Sequence, residues 1–406
     1  MKFQTLSPLK LGFIGGGCNS AVGYAHYCAA QLDGEWQLAA GSFSRDERVN
    51  AITARQYGVA PDKVYADWQM LLEREAKALD AVVILTPTPE HEAMVCAALS
   101  HGLAVICEKS LTPSLAAAKR VRAVCEREQG RLLVTYNYSA YPQIRELQAR
   151  IESGQLGAIH HVQVEMPQEG FARLQEGGKQ PSPQAWRLED QEIPTLHLDL
   201  TTHLHHMVYF LTGQRPLEVM ADHNSFGWFP QVIDDATAVV KYSGDMTARY
   251  WVSKSSLGYK NGLRIHLSGS LGSAQWVQSQ PEELTLNYVD GRREIIERGS
   301  PCLVANQIEF NRFKAGHPAG FIEAFANLYR EFAMAIRHPD TSKGRAVYKD
   351  YGLTPAIEGL ALMQAMTQSH NNRQWENLHG KNSTVAARGQ RSVKRSYPAV
   401  ATRGTS

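Results

Sequence analysis

Residues 9–14 (LKLGFI) are apolar and run straight into Gly15, Gly16 and Gly17. Asn19 and Ser20 come next, then Val22 and Gly23 within the helical-looking stretch AVGYAHYCAAQL. No other feature limits the fold as much as a strand that ends in glycines and feeds a helix. Glycines let the backbone approach a pyrophosphate, and the first N–H groups of a helix face it. The spacing departs from the usual one: Gly15-x-Gly17 is present, Ser20 stands where a third glycine is expected, and Gly23 comes three residues later. Alone, this is any glycine-rich turn between a strand and a helix. The next hundred or so residues make it specific. Residues 37–43, 79–87 and 102–110 read as further strands, and 46–57, 66–77, 90–101 and 114–129 read as helices. Apolar strands alternating with helices predict an α/β fold, a doubly wound parallel sheet of Rossmann type. That is the context a dinucleotide fingerprint needs.

The end of the second strand selects the cofactor. An NAD-binding site places an acid there for the ribose 2′-OH, but this chain has Phe43. Ser44 and Arg45 come next, and a guanidinium suits a 2′-phosphate. These residues tilt the choice toward NADP. If Asp46 only caps the next helix and Arg45 is merely exposed, NAD stays open.

The chain has 406 residues, enough for more than one core. Hydrophobic residues make up 43% and charged residues 20%, a globular balance. A formal net charge of +2 gives no general case for nucleic acid or membrane binding. No apolar run approaches a membrane span, and glycines interrupt the N-terminus where a secretory leader would be apolar. Six scattered cysteines without a CxxC pair suggest reduced thiols and a cytoplasmic location. Residues 381–406 hold six basic and no acidic residues; without them the net charge would be −4. The Ser, Thr, Gly and Arg content of this tail predicts disorder over 379–406.

The chain resembles the Gfo/Idh/MocA oxidoreductases, the glucose–fructose oxidoreductase and inositol dehydrogenase family. The resemblance runs from about residue 9 to about residue 370. It is carried by GFIGGG (12–17), TPTPEH (86–91), CEKSL (107–111), YNYSAYPQIR (136–145), GQLGAIHHVQVE (154–165), AWR (185–187), DLTTH (199–203) and GHPAGFIEAFANLY (316–329). It implies a dinucleotide-binding domain over 1–135 and a second α/β domain over 136–378, built on a large, mostly antiparallel open sheet. Independently, 160–166, 217–223, 236–243, 246–253, 263–269, 273–279 and 284–289 read as strands with turn residues between them. The free face of such a sheet suits a homodimer or homotetramer.

Lys109 lies at the carboxyl end of a predicted parallel strand, where open α/β sheets bind ligands. Its charge favours the oxygen from which hydride leaves. The family pattern there is Glu-Lys-Pro, and this chain has Glu108-Lys109-Ser110. In HLDLTTHLHH (197–206), Asp199 and His203 are spaced i, i+4 and would share a helix face. They resemble the family's Asp-x-x-x-His pair. The resemblance makes His203 the general base, Asp199 its orienter and a second substrate contact, and Lys109 the group that polarises the substrate oxygen. Gly15, Gly17, Asn19, Ser20, Ser44, Arg45, Thr86, Pro87, His91, Glu108 and Lys109 are the expected cofactor contacts. Tyr138, Trp186, Arg187, His206, Asp235 and His317 are candidate substrate contacts. Asp199, His203 and His206 could in principle hold zinc, but the spacing is not HExxH, so no metal is expected. His197 and His205 read as structural histidines.

Together these features predict an NAD(P)-dependent oxidoreductase. It would move a hydride between a ring secondary alcohol of a sugar, glycoside or cyclitol and the nicotinamide. Two alternatives come with the resemblance: an NAD-dependent glycosidase of the same family, and a dinucleotide-binding sensor without turnover. The departure at Ser110 and the basic tail point weakly to the sensor; Lys109, Asp199 and His203 point away from it.

Overall fold

The computed structural model describes residues 7–378, so the basic tail over 379–406 lies outside the described residues. The first layer runs β1 (Leu9–Gly15), α1 (Gly23–Leu32), β2 (Trp36–Ser42), α2 (Glu47–Gln56), α3 (Trp68–Glu75), β3 (Ala81–Leu85), α4 (His91–Ser100), β4 (Ala104–Cys107), α5 (Leu115–Arg127) and β5 (Leu132–Val134). Strand starts and ends follow burial: every residue of β3 and β4 is buried, as both faces of the sheet are covered. Helix starts follow side-chain caps. Asp46 accepts from the N–H groups of Arg48 and Val49 at α2, Asp67 from Met70 at α3, and Ser114 from Ala117 at α5. The five strands are parallel in the order β2-β1-β3-β4-β5.

The chain continues through α6 (Pro142–Glu152), β6 (Ile159–Pro167), α7 (Thr202–Thr212), β7 (Pro216–Asn224), β8 (Asp235–Tyr242), β9 (Thr247–Ser253), β10 (Arg264–Gly269), β11 (Gly272–Val277), β12 (Leu284–Tyr288) and β13 (Arg293–Ile296). It ends in α8 (Phe321–Arg337), α9 (Ser342–Tyr351), α10 (Leu353–Asn372) and β14 (Glu376–Asn377). The second sheet has the order β13-β12-β11-β10-β6-β9-β8-β7-β14, antiparallel except where β6 pairs with β9. Burial alternates along its strands: in β8, Ala236, Ala238, Val240 and Tyr242 are buried while Thr237 and Lys241 are exposed. One face is therefore packed and the other open.

Residues 202–211 of α7 are all buried, because the helix packs against α6, α10 and β6. The last helices return to the first sheet: α8 packs on α1 and α10 on α5. The Trp36 indole N–H donates to the Tyr329 carbonyl at 2.8 Å across that contact. Among the described residues, no helix is long and apolar enough to cross a membrane.

Candidate active site

From β1 the chain crosses to β2 on one side of the sheet and later to β3 on the other. Ligands bind at such a reversal, outside the carboxyl ends of the strands. A cleft of about 720 Å³ opens there. The glycine turn forms one wall, with Gly15 and Gly16 at φ +80° and +75°. Gly23 opens α1, and a Cβ on it would collide with the Gly16 carbonyl oxygen. Gly23 therefore does the close-packing work expected of the third glycine. Ser20, in that glycine's place, accepts hydrogen bonds from the N–H groups of Val22 and Gly23 at 3.3 and 3.2 Å. A wall without side chains beside a helix start fits a dinucleotide pyrophosphate.

Asn19, Ser44, Arg45, Thr86, Pro87, Glu108 and Lys109 also line the cleft. Phe43 is buried with its ring edge-on to Tyr57. Ser44 Oγ accepts from the Asp46 N–H at 3.1 Å, and Arg45 pairs with Glu90. His91 is the exception among the expected cofactor contacts. It is fully buried, outside the cleft lining, with Nε2 at 2.8 Å from the Thr86 carbonyl and Nδ1 at 2.9 Å from the Ser110 carbonyl. It ties the turn after β3 to the turn after β4 and positions both.

The Lys109–Ser110 peptide is cis, and Ser110 Oγ donates to the Leu198 carbonyl at 3.0 Å. Lys109 Nζ reaches the Asp199 carbonyl at 3.0 Å and Asp199 Oδ1 at 2.8 Å. Asp199 Oδ2 meets Arg187 at 2.6 Å and Lys254 Nζ at 2.8 Å. Burial would raise the Asp199 carboxyl, but the charges of Lys109, Lys254 and Arg187 override it and hold the group well below its ordinary range. Burial would also raise Glu108. The His26 hydrogen bond and charge, Lys109 and Thr135 bring it down to about 2.

The expected Asp199–His203 hydrogen bond is not made among the described residues. Residues 197–201 form a π-helical turn ahead of α7, which shifts Asp199 off the i, i+4 face. Its carboxylate is also already taken by three cations. His203 is instead set by packing, with the Tyr138 ring edge-on at 4.7 Å. Its Nδ1 is buried without a hydrogen-bond partner. Burial, then Lys109, pushes the imidazole down to about 3.

The other candidates divide. Trp186 and Arg187 line the cleft. Tyr138 and His203 are not among its lining residues, and neither is His206, which stacks on Tyr136 at 4.0 Å with its Nε2 2.8 Å from the Asp350 carbonyl. Asp235 opens β8 outside the cleft and accepts from the Trp251 indole at 3.2 Å. His317 is exposed and outside the cleft, in a segment whose carbonyl is held by Arg298. With His206 and Asp199 committed elsewhere, the imagined zinc ligands do not converge. Among the described residues, no group of three or more His, Cys, Asp or Glu side chains is placed to hold a metal ion. His197 is satisfied by Thr201 at 2.8 Å and His223 at 2.9 Å.

Two site residues escaped sequence reasoning. Lys254 directly follows β9, whose burial alternates until Val252 and Ser253, and nothing local marked it. His26 sits inside the apolar α1 with its Nε2 at 3.1 Å from Glu108.

Comparison with known proteins settles the family. The oxidoreductase family with an NAD-binding Rossmann fold (GFO_IDH_MocA) matches residues 9–136, and the GFO/IDH/MocA C-terminal domain matches 144–275. The uncharacterized oxidoreductase YfiI of Bacillus subtilis is 32% identical over 378 residues, covering 90% of this chain and 95% of that protein. This chain belongs to the GFO/IDH/MocA oxidoreductase family. An inositol 2-dehydrogenase of Pseudomonas syringae is 34% identical over 37% of this chain and 43% of its own length. An inositol dehydrogenase homolog from Azotobacter vinelandii, solved with NADH and myo-inositol, superposes with a TM-score of 0.82. It is 28% identical and covers 91% of this chain and 98% of its own. As a GFO/IDH/MocA member the chain is an oxidoreductase, and its cofactor is NAD or NADP. The cleft at the glycine turn fits that cofactor.

Proposed function

We propose that this protein oxidises a ring secondary alcohol of a sugar, glycoside or cyclitol, or reduces the corresponding ketone. One observation carries this: a single cleft is lined by the glycine turn, Lys109, Asp199 and Arg187, with the buried His203 outside that lining but close enough to feel the Lys109 charge. The bound dinucleotide supplies the carbon that accepts or returns the hydride. Gly15, Gly17, Asn19 and Ser20 hold its phosphates, and Thr86, Pro87 and Glu108 line its path. Lys109 donates to the alcohol oxygen and stabilises the negative charge that grows there. His203 is neutral and accepts the hydroxyl proton. Tyr138 fixes the imidazole by contact, and Asp199 aims Lys109 rather than His203.

Residues 1–135 carry the dinucleotide and residues 136–378 the substrate. Ser44 and Arg45 favour NADP, whereas Glu90 beside Arg45 opposes a 2′-phosphate. The relatives' inositol and sugar dehydrogenase names support the substrate class. A cytoplasmic, homo-oligomeric enzyme is in keeping with the cysteine pattern and the open sheet face.

Fluorescence titration with NADH and NADPH, followed by a sugar and cyclitol panel read by reduced-nicotinamide absorbance, tests the proposal. Cofactor binding with turnover is expected. Binding with release of an aglycone and no net reduction would move the function to glycoside cleavage. Binding with no reaction at all would move it to sensing.

A further inference from the structure

Asp199 is surrounded by more positive charge than it cancels. Lys109, Arg187 and Lys254 all contact its carboxylate, at 2.8, 2.6 and 2.8 Å. None of the three cations is freely solvated. Lys254 retains 5% of its side-chain exposure, Lys109 17% and Arg187 25%. One carboxylate offsets one of them. The neighbouring acid, Glu108, turns its carboxylate to His26 and Thr135. Even if Glu108 is counted, one positive charge is left over, and a neutral His203 offsets nothing. Low-dielectric surroundings make an uncompensated charge unfavourable, so the cluster is built to receive an anion.

Arg187 is the group that can meet it. Only one guanidinium nitrogen, Nη1, has a hydrogen-bond partner among the described residues, and that partner is Asp199. The guanidinium carbon lies 4.5 Å from the centroid of the Trp186 ring, and both side chains line the cleft. The remaining N–H edge suits a carboxylate, which takes two parallel hydrogen bonds from such a fork. Lys254 is different. It is packed over the Phe171 ring at 4.9 Å and does not line the cleft. By satisfying Asp199 from behind, it leaves the Arg187 charge unspent. The cofactor pyrophosphate is a poor claimant. It belongs to the glycine turn that ends β1, whereas Lys109 follows β4, with β3 between them. Two strand spacings separate those ends by roughly 10 Å.

We propose that Arg187 is a specificity residue for a carboxylate on the substrate, so that the favoured ring is an acidic sugar of the uronate kind rather than a neutral one. This rests on the oxidoreductase reading above. The test compares matched rings on the full-length protein: D-glucuronate with D-glucose, and D-galacturonate with D-galactose. Binding is measured by calorimetry on the NADH-saturated protein, and kcat/KM with NAD⁺ and with NADP⁺. The uronate is expected to lead its neutral partner by about tenfold or more in both readouts. Arg187→Gln is expected to collapse that ratio. Lys254→Met alters no cleft-lining residue and removes the cation that the two carboxylates leave unbalanced; it is expected to lower the ratio, and it carries the comparison if Arg187→Gln does not fold.

A neutral ring that binds and reacts as well as its uronate would overturn the inference and leave the oxidoreductase reading standing. A ratio unchanged in both variants would do the same. An Arg187→Gln protein that loses NADH affinity in step with uronate affinity would reassign the arginine to the cofactor. No turnover of these four rings while a cyclitol reacts would overturn this inference alone; no turnover of any sugar or cyclitol with either cofactor would sink the oxidoreductase reading with it.

Discussion

In the proposed mechanism, Lys109 and His203 divide the chemistry between a fixed charge and a neutral base. His203→Ala is expected to cut kcat by about 10²-fold or more while NADH binding persists; calorimetry beside steady-state kinetics checks both. Because burial and Lys109 hold His203 down at about 3, it is deprotonated throughout the neutral range. A group with a lowered pKa stays unprotonated as pH falls through the ordinary histidine value. The acid limb of the kcat/KM profile should therefore lie well below the 6.5 of an unperturbed imidazole. A limb near 6.5 would place an ordinary, solvated histidine there. Glu90, paired with Arg45, sets the other end of the cleft. Glu90→Gln removes a negative charge beside the ribose position and should raise NADPH affinity relative to NADH by several-fold, about 1 kcal/mol. Fluorescence titration with both cofactors reads this directly.

Elements decide how the site is held. The glycine turn and α1 meet at Gly16 and Gly23, where there is no room for a Cβ. Gly23→Val should displace α1 from the turn and weaken NADH binding by about tenfold or more, measured by titration against a thermal melt that shows the protein still folded. Much of the first sheet was legible because its signals are local: the buried β3, the cap at Asp46 and the helical stretch from 114. β5 was missed because three residues show no periodicity. Asp199 and His203 were legible as a spacing, but not as a geometry. A π-helical turn leaves no mark in an i, i+4 pattern, so the reach of Asp199 away from His203 could not be read. Asp235 and His317 fail for the opposite reason. A motif places them in order along the chain, whereas the path of the backbone takes their side chains elsewhere.

At the scale of the whole molecule, the site is assembled from residues distant in sequence. Lys254 meets Asp199, and Asp199 meets Lys109, only because helices of the second part of the chain pack back on the first. No local pattern could have named Lys254. Asp350 on α9 is half-buried next to Arg145, and burial raises its carboxyl from 3.8 to about 6 although Arg145 and Lys349 oppose the shift. The folded protein keeps that proton to a higher pH than the unfolded chain, so this group costs stability as pH rises from 3.8 through about 6. Asp350→Asn should stabilise the protein by roughly 2 kcal/mol at neutral pH and by nothing below pH 3.8, as thermal melts across pH would show. Above all, Lys109 is assigned to a ring alcohol in the cleft beside the dinucleotide. Formation of reduced nicotinamide under saturating cofactor and sugar, wild type against Lys109→Ala, tests that assignment most directly. Steady formation is expected from the wild type, and a rate lower by about 10²-fold or more from the variant. Equal rates in the two proteins would contradict it.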